Sequence, residues 1–105
     1  MAPSPLREQL ATIPPTQASP APGNRKPDYP MTARRGHFEG RLVLRVDVTD
    51  AGTASAVAVA VSSGHAILDE AAVTALQGWH FNPATRDGVA VAGVAYVPIQ
   101  FRLQD

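Results

Sequence analysis

His37, His65 and His80 are the side chains best suited to hold a metal ion or to move a proton near neutral pH. Their spacing serves neither role. None stands three or four residues from another histidine, as a ligand pair on one helix face requires, and no cysteine is present to supply thiolates. Ser62-Ser63-Gly64-His65 sets hydroxyls beside an imidazole, but the Gly-x-Ser-x-Gly elbow is absent and a local Ser/His pair is not a triad. Asp69 and Glu70 are consecutive, so on a helix they point in different directions, which suits a helix start better than paired acid–base work. There is no phosphate-binding loop. Trp79 and Phe81 could form a ligand platform, yet Trp79 ends an apolar helical stripe, and core anchoring is the better use of it. These patterns imply no catalytic residues, no cofactor and no metal.

Composition narrows the partners. Nine basic and nine acidic side chains cancel, which leaves no surplus charge of the kind that holds nucleic acid or an anionic membrane. A chain of 105 residues can form one small domain with a modest core. Seven of its ten prolines precede Tyr29, in a stretch with Leu6, Leu10 and Ile13 as its bulky apolar residues. Residues 1–28 are therefore expected to be a mobile, partly extended spacer, with at most a marginal helix over 6–13, and the folded domain to occupy 29–105. No apolar run is long enough for a secretory signal or a bilayer span, so the chain as written is expected to be soluble, and any anchor to lie upstream.

Five elements follow from the pattern. Pro30 suits the first position of a short helix that Gly36 stops, with Tyr29 tucked beneath it. Over 40–50, Leu42, Leu44, Val46 and Val48 alternate with Arg41, Arg45, Asp47 and Thr49, which is the period of a half-buried strand. Asp50-Ala51-Gly52 turns the chain into a second strand over 55–61, with Val57, Val59 and Val61 on one side. From 66 to 78 the spacing becomes helical, with Leu68, Ala71, Ala72, Ala75, Leu76 and Trp79 forming one stripe. After a turn at Asp87-Gly88, period two returns: Val97, Ile99, Phe101 and Leu103 face the helix, and Tyr96, Pro98, Gln100 and Arg102 face solvent.

The predicted fold is α+β. A hairpin, a crossover helix and a returning strand give a three-stranded antiparallel sheet of order 2-1-3, packed against one short N-terminal helix and one longer helix, with both outer strands open at their edges. Pro98 fixes the register of the last strand. Having no N–H, it belongs where the main chain faces outward, so Val97, Ile99, Phe101 and Leu103 pair inward. The main-chain groups of Gln100 and Arg102 then face outward and can accept another strand. Such an edge is either a blunted hazard or a docking rail.

Tyr29-Pro30, the strand containing Gly40-Arg41-Leu42-Val43-Leu44-Arg45-Val46, Leu68-Asp69-Glu70-Ala71-Ala72, Trp79-His80-Phe81-Asn82-Pro83-Ala84 and the closing Val97-Pro98-Ile99-Gln100-Phe101-Arg102-Leu103 occur in that order. Together they resemble the C-terminal domain of TonB-type energy transducers, and the resemblance covers 29–103. It implies a TonB/TolA C-terminal-like fold and a non-enzymatic periplasmic domain of an inner-membrane protein in a Gram-negative bacterium. It further implies an absent N-terminal membrane helix coupled to the proton-driven ExbB and ExbD complex.

In that family the last strand pairs with the TonB box of a TonB-dependent outer-membrane receptor, in the uptake of nutrients such as iron siderophores, haem or vitamins. Carried over, the partner-binding residues are Tyr96, Val97, Pro98, Ile99, Gln100, Phe101, Arg102 and Leu103, with Lys26, Pro27 and Tyr29 beside them. Two other readings stay open: a module of another envelope protein, such as a sensory metallopeptidase or a TolA-like tether, and a homodimer formed through the sheet edges.

Overall fold

The alternation of Leu42, Leu44, Val46 and Val48 with more polar neighbours becomes the central strand of the sheet. All four side chains are buried, and Arg41 and Arg45 lie in solvent on the opposite face. The computed structural model describes residues 17–103, so the expected helix over 6–13, most of the expected spacer, and residues 104–105 lie outside the described residues.

Among the described residues the order is β1 (Ser19–Pro20), α1 (Met31–Arg35), β2 (Gly40–Val48), β3 (Ala54–Val61), α2 (Ala66–Gln77), β4 (Phe81–Asn82), β5 (Ala84–Arg86), β6 (Val89–Val91) and β7 (Gly93–Phe101). The main sheet has the order β3-β2-β7 and both pairings are antiparallel, which is the predicted arrangement of hairpin and returning strand. β7 starts earlier than the sequence pattern suggested, because Gly93, Val94 and Ala95 already pair with Val48, Asp47 and Val46. No helix among the described residues is long and apolar enough to cross a membrane.

The core lies between one sheet face and the helices. Leu68, Ala72 and Leu76 of α2, one turn apart, are fully buried against Leu42, Leu44, Val46, Val97 and Phe101. Burying each such leucine contributes about 1.5–3 kcal/mol. Gly78 ends α2, as expected. In α1, Pro30 sits one position earlier than predicted, at the N-cap with extended ψ, and Gly36 closes the helix. A proline before the first turn still forfeits no helical donor.

β3 departs from the expected alternation. A register shift leaves Ala60 unpaired between Val59, opposite Leu44, and Val61, opposite Val43. The extra residue turns Val61 onto the uncovered face, where it is exposed, while Val57 stays against the core. At the β2–β3 turn Gly52 has φ +83°, and a Cβ there would stand 2.4 Å from the carbonyl oxygen of Phe81. Glycine is required by both conformation and space. Asp87 and Gly88, at φ 51° and 78°, form the turn of the small β5–β6 hairpin.

Residues 18–25 of the polar segment before Tyr29 are attached to the domain. Ala18 is buried, Ser19 and Pro20 pair with Asn82 and Phe81, and bonds reach the loop after α2 from Ala21, Asn24 and Arg25. Composition concealed this because main-chain groups and one asparagine make the attachments, and neither leaves a hydrophobic pattern.

Candidate functional site

Main-chain direction along β7 decides what its outer edge offers. At the end of β2 the amide of Thr49 donates to the carbonyl of Thr53, and Ser55 Oγ donates to the carbonyl of Asp47. Odd-numbered residues of β2 thus direct their peptide groups toward β3, and even-numbered ones toward β7. Leu44 stands opposite Val97, Leu42 opposite Ile99 and Gly40 opposite Phe101. These three residues of β7 therefore bond inward. Tyr96, Pro98 and Gln100 face away from the sheet, and the missing N–H of Pro98 falls where β2 needs none. The inward series continues to Leu103, whose amide donates to Glu39 Oε2 at 2.6 Å. By alternation the groups of Arg102 face outward.

The outer edge of β7 is unpaired among the described residues, since β1 bonds to β4 instead. Beside the edge lies a groove of about 440 Å³. Pro98, Ile99, Gln100, Phe101 and Arg102 form one part of its lining, and Lys26, Pro27 and Tyr29 another. Eight of the eleven residues singled out from sequence thus meet around one space. The other three lie apart from it. Tyr96 is exposed on the uncovered face opposite Arg45, Val97 is buried in the core, and Leu103 is half-buried beside Glu39.

Sequence reasoning placed Trp79 in the core and missed its place in this lining. Its ring is half-buried against the core cluster, and its Nε1–H donates to the carbonyl of Arg25 at 2.7 Å. The signal that could have found it is its position just past the helix stop at Gly78, where a side chain of the stripe leaves the core.

Tyr29 ties the two parts of the groove together. Its ring stands edge-on to Phe101, and its hydroxyl donates to the carbonyl of Phe38. Burial, with the Glu39 carboxylate adding and Arg34 opposing, raises the phenol above its ordinary value, so it remains a donor across the neutral range. The groove carries two cations, Lys26 and Arg102, and its lining otherwise offers rings, aliphatic surface and main-chain groups. That equipment suits holding an extended peptide.

A family model, Gram-negative bacterial TonB protein C-terminal, matches residues 25–103. The chain belongs to this family. It is 45% identical over 80 residues to protein tonB2 of Pseudomonas aeruginosa, covering 76% of this chain and 30% of that one. It is 34% identical over 79 residues to protein TonB of Vibrio cholerae, covering 75% and 32%. The chain thus spans about a third of the length of these curated relatives. A solution NMR structure of the Pseudomonas aeruginosa TonB C-terminal domain superposes with a TM-score of 0.68 at 25% identity, over 85% of this chain and 89% of that one. TonB C-terminal domains are non-enzymatic. The match begins at residue 25, so Lys26, Pro27, Tyr29 and the whole of β7 fall within it, while Ala21 and Asn24 precede it.

Proposed function

We propose that this domain is the receptor-engaging part of a TonB-type energy transducer and works in the periplasm. The outer edge of β7 takes up the extended TonB box of an outer-membrane receptor as a further strand. Lys26, Pro27 and Tyr29 contact the same peptide from the other part of the groove. A membrane helix upstream couples the domain to ExbB and ExbD, and the energy of the proton gradient reaches the receptor as tension for nutrient uptake. The relatives named TonB favour this over a peptidase module or a TolA-like tether.

The observation that carries the reading is the direction of the main chain at Pro98, which leaves the groups of Tyr96, Gln100 and Arg102 outward, the last two beside a groove. Strand addition suits a mechanical link. Each main-chain bond contributes only about 0.5–1.5 kcal/mol net, so binding stays reversible, yet bonds loaded side by side along a strand share the pull. The ordering cost of a flexible box keeps the isolated peptide weak, micromolar or weaker.

Backbone NMR titration with a synthetic TonB-box peptide tests this. Shifts are expected at residues 96–103 and at Lys26 and Tyr29. Shifts confined to β3, or none with the fold intact, contradict it.

A further inference from the structure

The part of the groove formed by Lys26, Pro27 and Tyr29 belongs to no strand or helix, and a separate set of bonds holds it in place. Asn24 Nδ2 donates to the carbonyls of Ala21 at 2.9 Å and His80 at 2.7 Å, and Asn24 Oδ1 accepts the His80 amide at 2.8 Å. With His80 the side-chain amide thus does what a neighbouring strand would do, donating to the carbonyl and accepting from the N–H. The Ala21 amide also donates to the carbonyl of His80, at 3.0 Å. One residue along, Trp79 Nε1–H holds the carbonyl of Arg25. The ring of that same tryptophan lines the groove.

We propose that residues 21–25 form a latch, with Asn24 and Trp79 as positioning residues that set Lys26, Pro27 and Tyr29 against the edge of β7, so that latch closure and filling of the groove are coupled. The proposal rests on the groove being the site of an extended peptide. Beyond these bonds the segment is anchored by the buried Ala18 and by two strand pairs, Ser19 with Asn82 and Pro20 with Phe81. So short an attachment opens at lower free energy than the three-stranded sheet. With the latch open, the peptide meets β7 alone, and its apparent affinity falls in proportion to the fraction of molecules that are closed. The coupling is reciprocal: a peptide that prefers the closed form must hold the latch shut by the same factor.

Asn24 uses both its donor and its acceptor here. Aspartate would keep the acceptor for the His80 amide but lose both donations and set a charge against two carbonyls, and alanine loses all three bonds. Trp79→Phe keeps a smaller ring in the groove and removes the N–H with the pyrrole part of the indole, so Asn24→Ala, which leaves the lining of the groove untouched, is the variant that separates latch from lining.

The test combines hydrogen exchange and peptide affinity on the full chain as wild type, Asn24→Ala and Trp79→Phe, with a synthetic TonB-box peptide as probe. Saturating peptide should slow exchange of the Ala21 amide and the Trp79 indole N–H in the wild type about tenfold. Both variants should bind about tenfold more weakly while the amides of Leu44 and Val97 keep their protection. A merely structural role for Asn24 would move sheet protection and leave peptide-dependent exchange at the latch absent. Wild-type affinity in Asn24→Ala, with its Ala21 amide exchanging freely, overturns the proposal. No binding by the wild type removes the groove reading and the coupling with it. The positioning role then rests on the Lys26 and Tyr29 amides, which shift in Asn24→Ala if the latch sets them in place and stay put if it does not.

Discussion

The Tyr29 ring meets the Phe101 ring edge-on, with centroids 5.2 Å apart and planes 78° from each other. One aromatic precedes the first helix and the other closes the last strand. Their contact joins the two ends of the domain beside the groove, and the Tyr29 hydroxyl extends it to the carbonyl of Phe38. A residue in this position stabilises the fold and shapes the site at once.

Replacing Tyr29 should separate those contributions. Tyr29→Ala removes a half-buried ring and should cost about 3 kcal/mol, near the lower end for aromatic truncations. Tyr29→Phe keeps the ring contact and should cost about 1 kcal/mol, because the carbonyl of Phe38 loses its donor. Urea unfolding of both variants checks the order; equal losses would mean that the ring contact contributes nothing.

Gly52 and Gly64 both have positive φ, at +83° and +93°, but a Cβ at Gly52 meets the carbonyl of Phe81 at 2.4 Å and one at Gly64 meets nothing within 4 Å. Gly64→Ala should cost about 1 kcal/mol for conformation alone. Gly52→Ala should cost about 3 kcal/mol or more, since the β2–β3 turn must also move away from the chain beside it. Thermal unfolding distinguishes them.

Leu44 and Val59 face each other across β2 and β3, yet Leu44 is fully buried and Val59 is 40% exposed. Leu44→Ala should cost about 3 kcal/mol and Val59→Ala less than about 1 kcal/mol. Denaturant midpoints check this. A large loss at Val59 would mean that β3 is covered in solution.

The contrast shows where sequence reading succeeded. Alternation in β2 and the later part of β7 located the strands, because each residue there has one face to bury; the hairpin and crossover helix then gave their order, and the missing N–H of Pro98 the outward register. In β3 one unpaired residue, Ala60, inverted the pattern for Val61, and nothing in a run of alternating Ala and Val marks the shift. The groove was half legible. Lys26, Pro27 and Tyr29 came through resemblance and β7 through its register. Trp79 in its lining and Asn24, which bonds the adjoining segment to His80, went unseen because hydrogen bonds to main-chain atoms have no signature in composition.

Asp69 supplies a pH-dependent contribution. Burial pushes its carboxyl up, but hydrogen bonds from the Ser62 and Ser63 hydroxyls and the Ser63 amide, with His65 nearby, outweigh burial and hold it below the ordinary value. A depressed pKa in the folded state stabilises the protein above the ordinary carboxylate value, and that contribution disappears as pH falls through the folded value. Between neutral pH and about pH 3 the wild type should therefore lose more stability than Asp69→Asn. Urea midpoints at the two pH values measure the difference; parallel losses would refute the role of Asp69.

The central claim is that the outward peptide groups of β7 capture a strand. Isothermal titration of a TonB-box peptide into Gln100→Pro and Ile99→Pro, each checked for folding by circular dichroism, tests it most directly. Gln100→Pro deletes an outward N–H and should stay folded while binding at least about tenfold more weakly, whereas Ile99→Pro deletes a bond to β2 and should lose about 3 kcal/mol of stability. Undiminished binding by a folded Gln100→Pro would contradict the account.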